Sequence, residues 1–121
     1  MLNPRFISKV VKPYKTSKGK YPQVQRSIGV PDKGILCDFD PFILLDEFQS
    51  VDHEDYLKGF PTHPHRGFEA VTYLKRGKIS HADNQGRKGQ VLAGGLQWMT
   101  TGKGIQHSEM PEGEADDGTG Q

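Results

Sequence analysis

Four side chains stand out because their types and spacing suit metal chemistry. His63 and His65 flank one proline in Phe60-Pro61-Thr62-His63-Pro64-His65, and His107 and Glu109 flank one serine in Gly104-Ile105-Gln106-His107-Ser108-Glu109. Residues two apart on an extended chain project to the same face. Pro64 favours an extended His63, because a residue before proline is pushed out of the helical region. Each pair therefore presents two donors side by side. Brought together, three imidazoles and a carboxylate make a mixed nitrogen and oxygen site with room for water or substrate, a set suited to a divalent first-row metal such as Fe(II), Mn or Ni. The lack of a thiolate in the set argues against a closed structural zinc site.

Other polar residues have plainer readings. His53 and His81 read as hydrogen-bonded polar residues at a rim, and Cys37 as an ordinary half-buried thiol. Glu69 has the parity of His65 and stands as a fifth ligand, a group that orients an imidazole, or a surface residue, with Gly67 able to reset the alternation through a bulge. Arg66 and Gly67 read as supporting residues, the glycine relieving that bulge. Trp98, Met99, Phe42, Leu44 and Phe68 read as core.

The elements that must position these groups are short. The chain of 121 residues has 15 glycines and 8 prolines, spread as punctuation, and no segment sustains a helical apolar period. Strand-like runs recur at 6–11, 24–30, 41–48, 68–74, 78–82, 89–93, 96–101 and 105–110, with residues 52–58 the one short helical candidate. Many short strands between frequent turns predict an all-β sandwich or barrel. Lys75-Arg76-Gly77-Lys78 and Asn84-Gln85-Gly86 read as hairpin connections. The glycine-rich acidic end, residues 112–121, reads as a disordered tail after a domain spanning 1–111.

Composition narrows the function classes. The length fits one domain. The longest apolar run, Phe42-Ile43-Leu44-Leu45, is far too short for a transmembrane helix, the N-terminus shows no secretory h-region, and the single cysteine suits a reducing cytoplasm. Net charge is +1 with the basic residues early and the acidic ones late. The early lysines lie in Pro/Gly-punctuated segments without a helix to enter a groove, so a solvated edge is a better reading than direct nucleic-acid contact.

These residues resemble the N-terminal cupin domain of the pirin family. The match runs from about Arg26 to Pro111. It is carried by Arg26-Ser-Ile-Gly29, Asp40-Pro-Phe-Ile-Leu-Leu-Asp-Glu-Phe48, Gly59-Phe-Pro-Thr-His63-Pro-His65-Arg-Gly-Phe-Glu69, Gln97-Trp-Met-Thr100 and Gly102-Lys-Gly104-Ile through His107-Ser-Glu109-Met-Pro111. One departure is Gly94-Gly95-Leu96, where the family usually has Pro-Gly-Asp.

The resemblance implies a double-stranded β-helix, incomplete at its C-terminal end because pirins continue into further strands and a second barrel. It implies one metal on His63, His65, His107 and Glu109, typically iron, with Mn, Ni, Cu, Co or Zn as alternatives. It implies either a quercetin 2,3-dioxygenase-type reaction on a flavonol, with Glu109 as the catalytic base, or a metal-dependent regulatory module acting on a protein partner. The expected compartment is the cytoplasm, and the nucleus as well in a eukaryote. An unclosed barrel would leave a strand edge open, so a homodimer is expected.

Overall fold

Strand alternation and proline placement account for most of the architecture. The computed structural model describes residues 6–7, 9–16, 21–29, 39–50 and 52–112, with His53 described by its backbone alone. These fall into two compact units, one within residues 1–17 and 23–49, the other within 18–22 and 50–121. Cys37 and residues 113–121 lie outside the described residues.

The first unit is an antiparallel sheet in the order β1 (Tyr14–Thr16), β2 (Val24–Ile28), β3 (Leu45–Glu47). Arg26 and Asp46 oppose each other directly across β2 and β3. The guanidinium grips the carboxylate with two bonds of 2.7 Å, a two-point contact that fixes register as well as adding energy. Val24 is buried, but Phe42 and Leu44, expected in the core, are 65% and 50% exposed. They lie ahead of β3 in irregular chain, where no sheet face buries them. The described residues of the run 6–11 form no strand, while β1 arises where none was expected.

The second unit opens with α1 (His53–Tyr56), started by Asp52, whose carboxylate accepts the Glu54 amide at 3.0 Å. Six strands follow: β4 (Phe60–His65), β5 (Glu69–Tyr73), β6 (Lys78–Asp83), β7 (Lys88–Leu92), β8 (Leu96–Thr100) and β9 (Ile105–Glu112). They form a four-stranded sheet in the order β4-β9-β6-β7 and a two-stranded sheet β5-β8, with every pairing antiparallel. β4 contains Pro61 and Pro64, and it lies on the edge of its sheet, where missing amide donors are tolerated.

The two sheets face each other. Thr72 on β5 bonds Glu109 on β9, and Gln97 on β8 bonds His81 on β6. Between them lie the buried side chains Val91, Met99, Ile105, Thr101 and His107. Burying each of the three large apolar ones is worth roughly 1.5–3 kcal/mol. The Thr101 hydroxyl donates to Phe68 O at 2.5 Å and accepts from Phe68 N at 3.2 Å, tying the start of β5 to the end of β8.

Several expected features differ. Lys75-Arg76-Gly77-Lys78 is no hairpin: β5 and β6 belong to different sheets, so this segment carries the chain across the sandwich. Asn84-Gln85-Gly86 does turn β6 into β7, with Asp83 Oδ1 accepting the Gln85 and Arg87 amides at 2.9 and 3.0 Å. β9 runs on to Glu112, so the strand includes the first residue of the expected tail. Met99 is buried as expected and Phe68 half-buried, but Trp98 is 65% exposed. On β8 the odd partner faces inward, so the neighbour of a buried Met99 must face out.

Candidate metal centre

The register of β4 and β9 brings the two histidine segments together. His63 opposes His107 directly and His65 opposes Ile105, so both histidines of β4 share a face with His107. His63 Nε2 lies 3.0 Å from His65 Nε2 and 3.1 Å from His107 Nε2. One ligand-capable nitrogen from each of the three rings falls within 4.8 Å of the others.

The proton inventory shows why this arrangement fits a cation. His63 Nδ1 sits 2.8 Å from Pro61 O, and a carbonyl only accepts, so the neutral ring carries its proton on Nδ1. Its Nε2 then has a single lone pair, which two neighbouring imidazoles approach at once. A metal ion resolves that contest, and the outer bond to Pro61 is the kind that fixes a ligating tautomer. The two spacings from His63 agree: two nitrogens about 2.1 Å from one ion stand about 3.0 Å apart at a right angle and about 3.4 Å apart at the tetrahedral angle.

Surroundings favour the neutral form of two of the rings, His107 and His65. His107 is 3% exposed; burial, reinforced by the neighbouring His63 and His81, lowers its pKa to about 4. Burial likewise lowers the His65 pKa, with His63 and His107 adding to the effect and Glu109 opposing it. Phe60 lies 6.4 Å and Tyr21 6.3 Å from the His63 ring, and Phe68 lies 5.2 Å from His65. Three aromatic side chains thus flank the imidazoles and limit access of water. Such neutral imidazoles are in the form that binds metals.

Glu109 stands apart from the tight group of three nitrogens. It follows His107 by two residues on β9, on the same face, and its Oε1 accepts the Thr72 hydroxyl at 2.5 Å. Its second oxygen remains for other work. Glu69 is placed elsewhere. The chain passes from the first sheet to the second through Arg66, Gly67 (φ +80°) and Phe68, which inverts the parity carried from His65. Glu69 therefore lies on the solvent side of β5, where it accepts from the Trp98 indole N–H and from Thr100 Oγ1. That position rules out the fifth-ligand reading.

His81, expected at a rim, lies inside the sandwich. It opposes Glu109 on one side and Gly89 on the other, and its Nδ1 accepts the Gln97 amide at 2.9 Å. The ring occupies the space that Gly89 leaves, since a Cβ there would meet its Nε2 at 2.7 Å. The signal for this was the glycine inside β7. An open concavity over β6, β7 and β9 is lined by Ser80, Ala82, Lys88, Gln90, Ser108 and Met110 together with His81 and Gly89, and none of His63, His65 and His107 lines it.

Two facing antiparallel sheets, with three convergent imidazoles on the inner side of one of them, define a cupin-type protein whose histidines could hold a metal. The Pirin family model matches residues 22–120, and the chain belongs to the pirin family. It is 51% identical over 108 residues to a pirin-like protein of Caulobacter vibrioides, covering 89% of this chain and 38% of that one. It is 49% identical over 96 residues to human pirin, covering 78% of this chain and 31% of the relative. A solved quercetin 2,3-dioxygenase from Acinetobacter baumannii superposes with a TM-score of 0.63 at 30% identity, covering 84% of this chain and 35% of that structure. The chain thus spans a third or so of the length of these relatives. No described helix is long and apolar enough to cross a membrane.

Proposed function

We propose that this chain holds one divalent first-row metal on His63, His65, His107 and Glu109, and that it serves a quercetin 2,3-dioxygenase-type oxygenation of a flavonol. The observation that carries the metal reading is the shared lone pair: His63 Nε2, committed to accepting by the bond to Pro61 O, is approached at 3.0 and 3.1 Å by two other imidazole nitrogens. A set of three imidazoles and a carboxylate, without a thiolate, favours Fe(II), Mn, Co, Ni or Cu over a closed structural zinc site. Support for the reaction class comes from the solved quercetin 2,3-dioxygenase among the relatives and from the ring-lined flank of Tyr21, Phe60 and Phe68.

A bound metal supplies Lewis acidity that favours loss of the flavonol hydroxyl proton. The chain's own contribution is positional. Thr72 holds Glu109 through Oε1 and leaves Oε2 free to ligate or to take that proton, the geometry a general base requires. The aromatic flank offers ring faces and edges to a flat aromatic substrate.

The test is anaerobic loading with Fe(II), metal analysis, and oxygen uptake with quercetin. One metal per chain with flavonol-dependent oxygen uptake supports both parts. One metal per chain without uptake would leave the metal as a switch acting on a protein partner, and no metal at all would remove the site.

A further inference from the structure

We propose that Asp83 is the positioning residue that orients His107 when a metal is bound, its carboxylate accepting the Nδ1–H of that ring. The inference rests on the metal reading above. Among the described residues His107 Nδ1 is the only buried side-chain nitrogen or oxygen without a hydrogen-bond partner. When Nε2 binds a metal, the neutral ring keeps its one proton on Nδ1. A buried N–H without an acceptor costs about 1–3 kcal/mol, so a loaded site needs an acceptor there.

Asp83 is placed to be that acceptor. It opposes His107 directly in the β6–β9 register, so the two side chains share a face with their Cβ atoms about 4.5–5.5 Å apart. Its side chain is 9% exposed. Oδ1 is occupied by the Gln85 and Arg87 amides, whereas Oδ2 has only the largely exposed Arg87 guanidinium at 3.5 Å. The proposed bond requires the carboxylate to keep Oδ1 on the hairpin while Oδ2 turns to the ring. Burial lowers the His107 pKa, and Asp83 is near enough to pull against it. Other inward groups are engaged: His81 Nδ1 with Gln97, Glu109 Oε1 with Thr72. Asp83 thereby links the β6–β7 hairpin to the metal.

Asp83→Asn separates this role from the turn. The amide keeps one oxygen for the Gln85 and Arg87 amides but presents NH₂ in place of Oδ2, so it cannot accept from His107. The protein is loaded with Co(II), whose metal-shifted ring N–H signals are followed by proton NMR alongside the Co(II) affinity. The wild-type chain is expected to show a slowly exchanging His107 Nδ1–H. In Asp83→Asn that signal should be lost to exchange and affinity should fall about 10–100-fold, while the unfolding midpoint of the metal-free protein stays at the wild-type value. Asp83→Ala should show the same losses with a lowered midpoint. Wild-type affinity and a retained His107 signal in Asp83→Asn would confine Asp83 to the turn and overturn the proposal. Failure of the wild-type chain to take up Co(II) would instead overturn the metal reading, and the role of Asp83 with it.

Discussion

His63 and His107 stand face to face across β4 and β9 with their Nε2 atoms 3.1 Å apart, although 44 positions separate them in sequence. Their closeness depends on the antiparallel register alone, and removing either ring removes a donor that no neighbouring side chain replaces. His63→Ala and His107→Ala are expected to lose stoichiometric metal, a larger effect than the roughly 10–100-fold typical of an outer partner. His81→Ala should retain it. Metal content after loading and desalting checks this, and a fully occupied His107→Ala would refute the ligand assignment.

Acid should destabilise the metal-free protein through the same rings. The His107 pKa is lowered to about 4 in the fold from an ordinary 6.5, so between those values the unfolded chain binds the proton that the folded chain refuses. Stability linked to this group is fully present above about pH 6.5 and is lost as pH falls towards 4. The lowered pKa of His65 acts in the same direction. Urea midpoints of metal-free protein at pH 7.5 and pH 4.5 should differ in that sense, and His107→Ala should flatten the slope. A variant with an unchanged pH profile would show that His107 does not carry it.

Much of this centre is readable from spacing, because a period of two keeps His63 with His65 and His107 with Glu109 whatever the sheet does next. What spacing cannot reveal is where the chain changes sheet. The crossing at Arg66–Phe68 moves Glu69 to the outside, and the crossing after Leu74 turns an expected hairpin into a link between sheets. Residue type misled for the same reason. Trp98 looks like core, yet one step of register from buried Met99 puts it in solvent. β4 itself was obscured by its two prolines, which only an edge strand accommodates.

Gly89 and His81 should be coupled energetically. A methyl at position 89 would come within 2.7 Å of His81 Nε2, forcing the ring off the bond from Gln97. Gly89→Ala is expected to cost about 1–3 kcal/mol, the usual range for overpacking. In Gly89→Ala combined with His81→Ala the cost of the added methyl should largely vanish. Chemical unfolding of the four members of the cycle measures this, and additive losses would mean the ring does not fill the space above Gly89.

Thr72 should matter through Glu109 and not through folding. Its hydroxyl is the donor that holds Oε1 at 2.5 Å. Thr72→Val keeps the β-branched shape and removes the donor. Metal affinity is then expected to fall about 10–100-fold, with Thr72→Ser restoring most of it. Equal affinity in Thr72→Val and wild type would show that Glu109 needs no support from β5.

The last expectation concerns association of the 121-residue chain. Among the described strands β5 is paired only with β8, so its other edge offers unpaired backbone groups to a further strand, and such edges invite pairing between chains. The solvent face of the same two strands carries Val71, Tyr73, Leu96 and Trp98, which are 48%, 61%, 53% and 65% exposed. They form the opposed pairs Val71–Trp98 and Tyr73–Leu96, so the apolar surface is continuous across the ribbon. Pairing of two β5 edges about a two-fold axis would satisfy the backbone and extend this face at once. Trp98 is the chain's one tryptophan and reports on it directly. Light scattering is expected to show a dimer at micromolar concentration, with Trp98 emission shifting to the blue as dilute protein is concentrated. Val71→Lys should hold the chain monomeric and its emission red. A wild-type monomer with invariant red emission over that range would show that this edge and face stay open to water.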